Sequence, residues 1–224
     1  MNDNINLTKK YFDSRNKKIQ TDSSLRQKLA EREIYTLNFL LKNFYNDELR
    51  PGYNILDVGS GDKFLKESLE KNNCNYFSLD IDDLNFEKDN FNFEKEKFDI
   101  VICLAVIEHL SDPSIFLNEI KRVLKKNRYL YISTPNWIYC KNDFYNDPTH
   151  KKPYTPSSLE NILEINNFNN IKTFPNLRCK PKWWYTGKFR FFKAKYFLPF
   201  AKRKSFIPEF MSGKAKGIFA LSKK

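Results

Sequence analysis

The sequence lacks three features that would place it quickly in a class of protein. Its cysteines stand far apart with no CxxC pair, which argues against a structural zinc site and against a disulfide framework. No apolar run approaches the roughly 18 residues of a membrane span, and the opening stretch MNDNINLTKK lacks the apolar segment of a signal peptide. We therefore expect a globular, cytoplasmic chain of 224 residues. The thiols that we expect to be reduced and mostly buried are Cys74, Cys103, Cys140 and Cys179.

Acidic residues are scarce in one region only. Residues 178–224 contain 14 Lys or Arg against a single acid, Glu209, so this stretch carries +13 and the other 177 residues sum to −1 of the total formal charge of +12. An asymmetry of this size indicates that the C-terminal region has a role separate from that of the rest of the chain.

Upstream of that region, short apolar runs alternate with helical patterns. The predicted helices cover 24–45, about 62–71, about 112–125 and about 156–166, and the predicted strands cover 53–58, 76–81, 98–104, 128–134, 168–174 and 217–224. Nearly continuous apolar strands separated by helices predict an α/β fold with a mostly parallel sheet covered on both faces. We expect residues 1–50 to form an N-terminal helical cap and 51–224 to form one domain, with an insertion at 178–214.

The stretch LDVGSGD, residues 56–62, follows the first predicted strand. Ligands of such sheets bind at the carboxyl ends of the strands, and Gly59 and Gly61 would let the backbone approach a ligand closely there. Asp80 ends the next strand, 19 positions after Gly61, where its carboxylate could accept hydrogen bonds from both ribose hydroxyls. A tight turn beside a solvated acid explains the glycines alone equally well, but Asp80 at this distance favours a nucleotide-like ligand.

Two residues near this turn distinguish between nucleotide-like ligands. Phe64 stands where a dinucleotide-binding GxGxxG needs its third glycine, and Asp57, just before the turn, would repel a pyrophosphate. A cationic ligand fits the turn better.

Four motifs then occur in order: LDVGSGD, FDIVICLAVIEHLSDP (98–113), FLNEIKRVLKKNRYLYISTPN (116–136) and DPTHKKPYTPSSLENILEINNF (147–168). Over roughly residues 50–175 the sequence resembles the class I S-adenosylmethionine-dependent methyltransferases. The resemblance implies a doubly wound, mostly parallel, seven-stranded Rossmann-like sheet and S-adenosyl-L-methionine as cofactor. It also implies cofactor contacts by Asp57, Gly59, Ser60, Gly61, Asp80, Ile81, Leu104 and Ala105.

The sequence departs from the family pattern at two places. The loop lacks the third glycine that the family commonly has, since Asp62 and Lys63 follow Gly61. The third strand and its flanking helix are also reduced to the short stretch between Asp80 and Phe98, where Asp89 is a candidate for contact with the adenine.

The sequence contains two histidines, and by resemblance both border the acceptor site. Glu108 and His109 follow the predicted strand 98–104, and His150 lies in the loop after the predicted strand 128–134. A lone histidine is more often structural than catalytic, but the convergence of both on one edge of the sheet favours function. Because imidazole groups titrate near neutral pH, we assign His150 as the general base for an acceptor hydroxyl, with His109 and Glu108 as orienting groups.

A metal ion is not expected at these residues. Similar enzymes that methylate catechol-type quinone precursors or RNA ends bind a divalent metal through Glu-x-x-Glu-His and a later His. Here the first glutamate position is Ala105, and the loss of one ligand in four should weaken such a site badly.

The basic segment 178–214 is also rich in aromatic residues. Five of them recur every three or four positions among lysines, namely Tyr185, Phe189, Phe192, Tyr196 and Phe200. This pattern is typical of a cationic amphipathic helix on an anionic membrane surface, with Trp183 and Trp184 as interfacial anchors and Pro199 near its end. Two alternatives stay open: an aromatic lid packed on the domain, and a binding segment for single-stranded nucleic acid. The nucleic-acid alternative has less support, because no RNA-specific appendage accompanies it.

The sequence thus predicts a methyltransferase that acts on a hydroxyl of a small, sugar-like or lipid-linked acceptor, at the inner face of the membrane if the tail binds there. The alternative is a catalytically silent protein with the cofactor-binding fold, which binds membrane or nucleic acid through its basic tail. Affinity for the cofactor separates these two hypotheses.

Overall fold

The computed structural model describes residues 10–11, 14, 23–176, 200–201, 212–214 and 216–224. The helices are α1 (Ser23–Phe44), α2 (Lys66–Lys71), α3 (Ser114–Val123), α4 (Trp137–Cys140) and α5 (Pro156–Ile165), with two 3-10 turns at Ile107–His109 and Lys141–Asn146. The strands are β1 (Asn54–Val58), β2 (Asn75–Leu79), β3 (Phe98–Leu104), β4 (Leu124–Pro135), β5 (Asn169–Asn176), β6 (Phe200–Ala201), β7 (Ser212–Lys214) and β8 (Gly217–Lys223).

Six of these strands form one sheet in the order β2-β1-β3-β4-β8-β5. The first four are parallel, and β8 runs antiparallel to both β4 and β5. Val58 is in register with Leu79 and with Cys103, and Leu104 is in register with Ser133. The carboxyl ends of four neighbouring strands therefore lie at one edge, the carboxyl edge of the sheet.

Alternate residues of each strand face two different hydrophobic cores. On one face, Leu37 and Leu41 of α1 share a core with Ile55, Ile100 and Tyr129. On the other face, α3 and α5 cover the sheet with side chains that include Phe116, Ile120 and Leu159. The central strands β1, β3, β4 and β8 are thus largely buried on both sides, as their nearly continuous apolar sequences predicted. Helix α1 shares the first of these cores with the sheet. The division into a cap and a domain at residue 50 stays a prediction.

The sheet has six strands in the described residues, where the family resemblance implied seven. No strand forms between β2 and β3, so the expected third strand of the family is missing there. The side chains of Asp83, Asn85 and Asp89 accept hydrogen bonds from nearby backbone N–H groups in this segment. Such local bonds compete with the ladder of a sheet, and Asn and Asp are themselves poor strand residues.

Side chains of α3 hold this irregular segment against the molecule. Arg122 donates to the carbonyl oxygens of Phe91 and Phe93, both at 2.8 Å, and Glu119 accepts the N–H of Phe91 at 2.7 Å. The rings of Phe86 and Phe91 pack against Phe116 of the same helix. The segment is fixed without pairing to a neighbouring strand.

The described cysteines agree with the prediction of buried thiols. Cys74, Cys103 and Cys140 are buried, and none of these three forms a disulfide. Cys179 lies outside the described residues.

Most of the basic insertion also lies outside the described residues, including Trp183, Trp184 and the predicted amphipathic helix. The parts that are described are β6 and β7, which pair in parallel. Phe200, the last residue of the predicted aromatic stripe, is therefore in a strand and not in a helix. Within the described ranges, no helix has both the length and the apolar character needed to cross a membrane.

Candidate active site

The loops that follow β1, β2, β3 and β4 meet at the carboxyl edge of the sheet. The N–H groups of Gly59 and Ser60 both donate to the carbonyl oxygen of Leu79, at 2.8 and 3.2 Å. Further along the edge, the N–H of Ala105 donates to the carbonyl oxygen of Ser133 at 2.9 Å. Backbone bonds thus join neighbouring loops into a single surface.

Gly59 and Gly61 are glycines for different reasons. A Cβ on Gly59, which has a φ of +73°, would lie 2.2 Å from Cγ2 of Val106, so any side chain there would collide with the loop after β3. Gly61 has a φ of +51°, and a Cβ there would meet nothing within 4 Å. The first glycine permits the contact between loops, and the second leaves open space beside the carboxyl edge.

Two residues other than glycine adopt the left-handed backbone conformation at this edge. Lys63 has a φ of +57°, so the loop keeps a conformation suited to glycine although the third glycine is absent. Ala105, the exposed residue directly after β3, also has a φ of +57°. Such strained positions cluster at ligand-binding sites.

Asp57 is a buried carboxylate at the end of β1, with an exposed fraction of 2%. It accepts a hydrogen bond from the Tyr76 hydroxyl at 2.9 Å, and no Lys or Arg of the described residues forms an ion pair with it. Burial raises the pKa of Asp57 to about 7, and the neighbouring carboxylates of Asp80 and Asp62 contribute to the increase. The site therefore contains an acid that lacks a cationic partner among these residues.

Asp80 lies beside the glycine loop, as predicted. Its carboxylate accepts the N–H of Ile81 at 2.7 Å. Burial raises the pKa of Asp80, although the backbone N–H groups of Ile81 and Gly61 oppose the shift. The half-buried Leu104 follows on the next strand. Asp89, in contrast, is exposed, and its carboxylate accepts the backbone N–H of Asn85.

The two histidines are also brought together, with ring centroids 4.8 Å apart. Nδ1 of His109 lies 3.1 Å from the carbonyl oxygen of Thr149, and Nδ1 of His150 lies 2.6 Å from that of Phe144. A carbonyl oxygen only accepts hydrogen bonds, so both Nδ1 atoms carry a proton. Each neutral ring then has its lone pair on Nε2, the arrangement that a base or a ligand requires.

Glu108 connects the loops that carry the histidines. Its side chain is fully buried, and its carbonyl oxygen accepts the N–H groups of Lys151 and Lys152 at 2.8 and 3.0 Å. Ligand atoms of Glu108, His109 and His150 lie within 4.8 Å of one another, close enough to surround one divalent ion. Ala105 offers no fourth ligand, and the absence of a metal stays a prediction.

Sequence reasoning missed the two residues that surround His109. Asp147 and Thr149 are both buried, and the Thr149 hydroxyl lies 3.0 Å from Nδ1 of His109. Both residues are in the motif DPTH, where an Asp two positions before a Thr is typical of a side chain that bonds to the following backbone. That signal could have identified Asp147 as the residue that shapes this loop.

A family model described as a methyltransferase domain matches residues 25–173. The chain belongs to this methyltransferase family. The methyltransferase is 29% identical over 129 residues to the ubiquinone biosynthesis O-methyltransferase of Glaesserella parasuis serovar 5 (strain SH0165). That match covers 46% of this chain and 55% of the relative, so it spans about half of the relative's length.

Solved structures share the fold. A SAM-dependent methyltransferase from Archaeoglobus fulgidus matches with a TM-score of 0.62 and 20% identity, over 96% of this chain and 100% of that one. A Haemonchus contortus phosphoethanolamine N-methyltransferase 2, in complex with phosphomonomethylethanolamine and S-adenosylhomocysteine, matches with a TM-score of 0.54 and 16% identity. The second match covers 85% of this chain and 52% of the other. At these identities the similarity supports the α/β fold alone.

Replacing Asp57 by Asn should stabilise the ligand-free methyltransferase above neutral pH, because a buried anion costs free energy that an amide avoids. The folded-state pKa of about 7 is above the ordinary value of 3.8. The folded protein therefore binds more protons than the unfolded chain between these values, and its stability falls as the pH rises through this window. Between pH 5 and pH 8 we expect this group to lower the stability of the folded protein by about 3 kcal/mol.

Urea denaturation at pH 5 and pH 8 measures the difference, with Asp82→Asn as a control for net charge at an exposed carboxylate. Parallel pH profiles for Asp57→Asn and the unmodified protein would show that the pKa of Asp57 is not raised.

Proposed function

We propose that this methyltransferase transfers a methyl group from S-adenosylmethionine to a hydroxyl of a small, sugar-like or lipid-linked acceptor. The observation that carries the proposal is the bond between Nδ1 of His150 and the Phe144 carbonyl, which leaves the lone pair of the neutral ring on Nε2. The relative from Glaesserella parasuis is by name an O-methyltransferase, which supports oxygen as the methylated atom.

The residues at the carboxyl edge fit this cofactor. Asp57 is a buried acid without a Lys or Arg partner in the described residues, and the sulfonium and ammonium groups of the cofactor are cations. Asp80 has the acceptor atoms for two ribose hydroxyls, and Gly61 leaves open space next to it. Ser60, Ile81, Leu104 and Ala105 complete the predicted binding surface.

Bound S-adenosylmethionine supplies a methyl carbon that its sulfonium has already activated. The protein therefore has two tasks, to orient the acceptor hydroxyl and to remove its proton. His150 accepts that proton at Nε2. His109 orients the acceptor. Glu108 holds the neighbouring loop in place, because its backbone carbonyl oxygen accepts hydrogen bonds from the residues that follow His150.

Binding of the cofactor should depend on Asp80. We expect micromolar affinity for S-adenosylmethionine or its demethylated product, and Asp80→Ala should weaken it by about 1–3 kcal/mol because the ribose hydroxyls lose their acceptor. Isothermal titration calorimetry measures both values, with Asp143→Ala as the control, since Asp143 is an exposed acid that pairs with Lys216. Undetectable binding by the unmodified protein, or tighter binding of NAD, would contradict the cofactor assignment and favour a silent protein.

His150→Ala should lower turnover by a factor of about 100 or more and leave cofactor affinity nearly unchanged, because the base acts in the chemical step. Methyl-labelled S-adenosylmethionine, offered with a panel of glycosides, lipid-linked sugars and phenols, identifies a hydroxyl acceptor for the assay. Lys151→Ala, next to His150, is the matched control.

The same assay tests the role of a metal. We expect activity to be indifferent to EDTA. Activity that EDTA abolishes and magnesium restores would show that Glu108, His109 and His150 hold a metal, and that His150 is not the base.

We further propose, from the sequence alone, that segment 178–214 brings the enzyme to an anionic membrane surface at the cytoplasmic side. Each Lys or Arg near such a surface contributes about 1 kcal/mol to binding, and salt should weaken the interaction.

In vesicle sedimentation, Lys188, Lys193 and Lys195 changed to Glu should reduce binding to phosphatidylglycerol vesicles. Lys66, Lys71 and Lys126, which are exposed on the sheet domain, are the control set for the same change. Equal partitioning onto neutral and anionic vesicles, or none onto either, would favour the lid; competition by single-stranded DNA would favour nucleic acid.

A further inference from the structure

Asp147 occupies a central position in the loop that joins the two histidines. The residue is 8% exposed, and its Oδ1 accepts both the N–H of Thr149 at 3.0 Å and the Thr149 hydroxyl at 2.5 Å. Its carbonyl oxygen accepts the N–H of His150 at 3.2 Å. One residue therefore determines the course of the chain through Thr149 and His150.

The bonds continue from Asp147 to His109. Because the Thr149 hydroxyl donates its proton to Asp147, its oxygen can only accept from Nδ1 of His109, at 3.0 Å. The Thr149 carbonyl accepts from the same Nδ1 at 3.1 Å. Two acceptors on one residue thus select the His109 tautomer that is protonated at Nδ1.

Asp147 reaches His150 by a different route. Its Oδ2 lies 3.8 Å from Nε2 of His150, which is too far for a hydrogen bond. The His150 ring is instead held by the Phe144 carbonyl. The carboxylate therefore acts on His150 through the backbone of the loop.

We infer that Asp147 is a positioning residue that fixes the Nδ1-protonated tautomer of His109 and the placement of His150 through its hydrogen bonds to Thr149. The effect on turnover rests on the proposed function, whereas the effect on the rings does not. Since the amide of Asn can also accept both Thr149 bonds at its oxygen, Asp147→Asn should preserve the arrangement and Asp147→Ala should destroy it.

The presence of only two histidines makes the rings directly observable. Their imidazole ¹⁵N signals can be assigned by comparison with His109→Gln and His150→Gln, at about pH 8.5 where imidazole groups are neutral. We expect both rings of the unmodified protein to be protonated at Nδ1. In Asp147→Ala, the His109 signals should report a mixture of tautomers and the His150 signals should shift, and in Asp147→Asn both should match the unmodified protein.

Turnover provides a second measurement once an acceptor is known. Asp147→Ala should lower kcat by about 10-fold or more, as is usual when a residue that orients a functional group is removed, while Asp147→Asn stays close to the unmodified enzyme. Affinity for S-adenosylmethionine and the thermal midpoint show whether each variant is folded. Asp143→Ala, an acid on the same loop that pairs with Lys216, is the matched control.

Thr149→Val separates the hydroxyl from the rest of the loop. It removes one of the two acceptors for His109 and leaves the backbone carbonyl, so it should change the His109 signals less than Asp147→Ala does and leave those of His150 in place.

Three results would overturn the inference. The first is a folded Asp147→Ala protein with unchanged ring signals, and the second is an Asp147→Asn protein as altered as Asp147→Ala, which would show that the carboxylate acts by charge. The third is a His109 ring protonated at Nε2 in the unmodified protein. Failure of the proposed function would appear separately, as absent cofactor binding or turnover in a protein whose rings have the expected tautomers.

Discussion

The loop after β1 can approach the loop after β3 only because residue 59 has no side chain. A Cβ at that position would lie 2.2 Å from the Val106 side chain, a distance at which one loop must move. Val106 immediately precedes the turn that carries Glu108 and His109, and the carbonyl of Glu108 in turn fixes the chain that follows His150. The contact at Gly59 therefore sets the distance between the predicted cofactor loop and the predicted acceptor side.

Buried acids at the two edges of the sheet differ in their ion-pair partners. At the amino edge, Asp99 is buried but forms ion pairs with Lys125 at 2.7 Å and with Arg128 at 3.3 Å. At the carboxyl edge, Asp57 is equally buried, and no basic side chain of the described residues pairs with it. Buried charges are normally paired, because desolvation otherwise costs more than burial gains. Asp57 thus lacks the cationic partner that Asp99 has, among the residues that the structure describes.

The sequence predicted those parts of the fold in which a pattern and a physical requirement coincide. Strand β3 has its predicted bounds, because an apolar run buried on both faces has few alternatives, and Asp80 lies at the glycine loop because strand ends align in a parallel sheet. The reduction of the third strand was visible in the short stretch between Asp80 and Phe98, but the path of that stretch depends on side chains such as Asn85 that bond to the nearby backbone. The role of Asp147 depends on Thr149 facing a histidine 40 positions away, which only the folded chain reveals.

The antiparallel strand β8 has a consequence for how this enzyme can diversify. Gly217 is in register with Asn176 on one side and with Pro135 on the other, so the chain leaves the sheet after β5 and re-enters it at the same level of the carboxyl edge. The residues between 176 and 217 can therefore change in length or composition while every ladder bond of the six strands keeps its partner. Changes in that part of the chain leave the alignment of the strand ends at the carboxyl edge intact, because β8 keeps its partners on both sides.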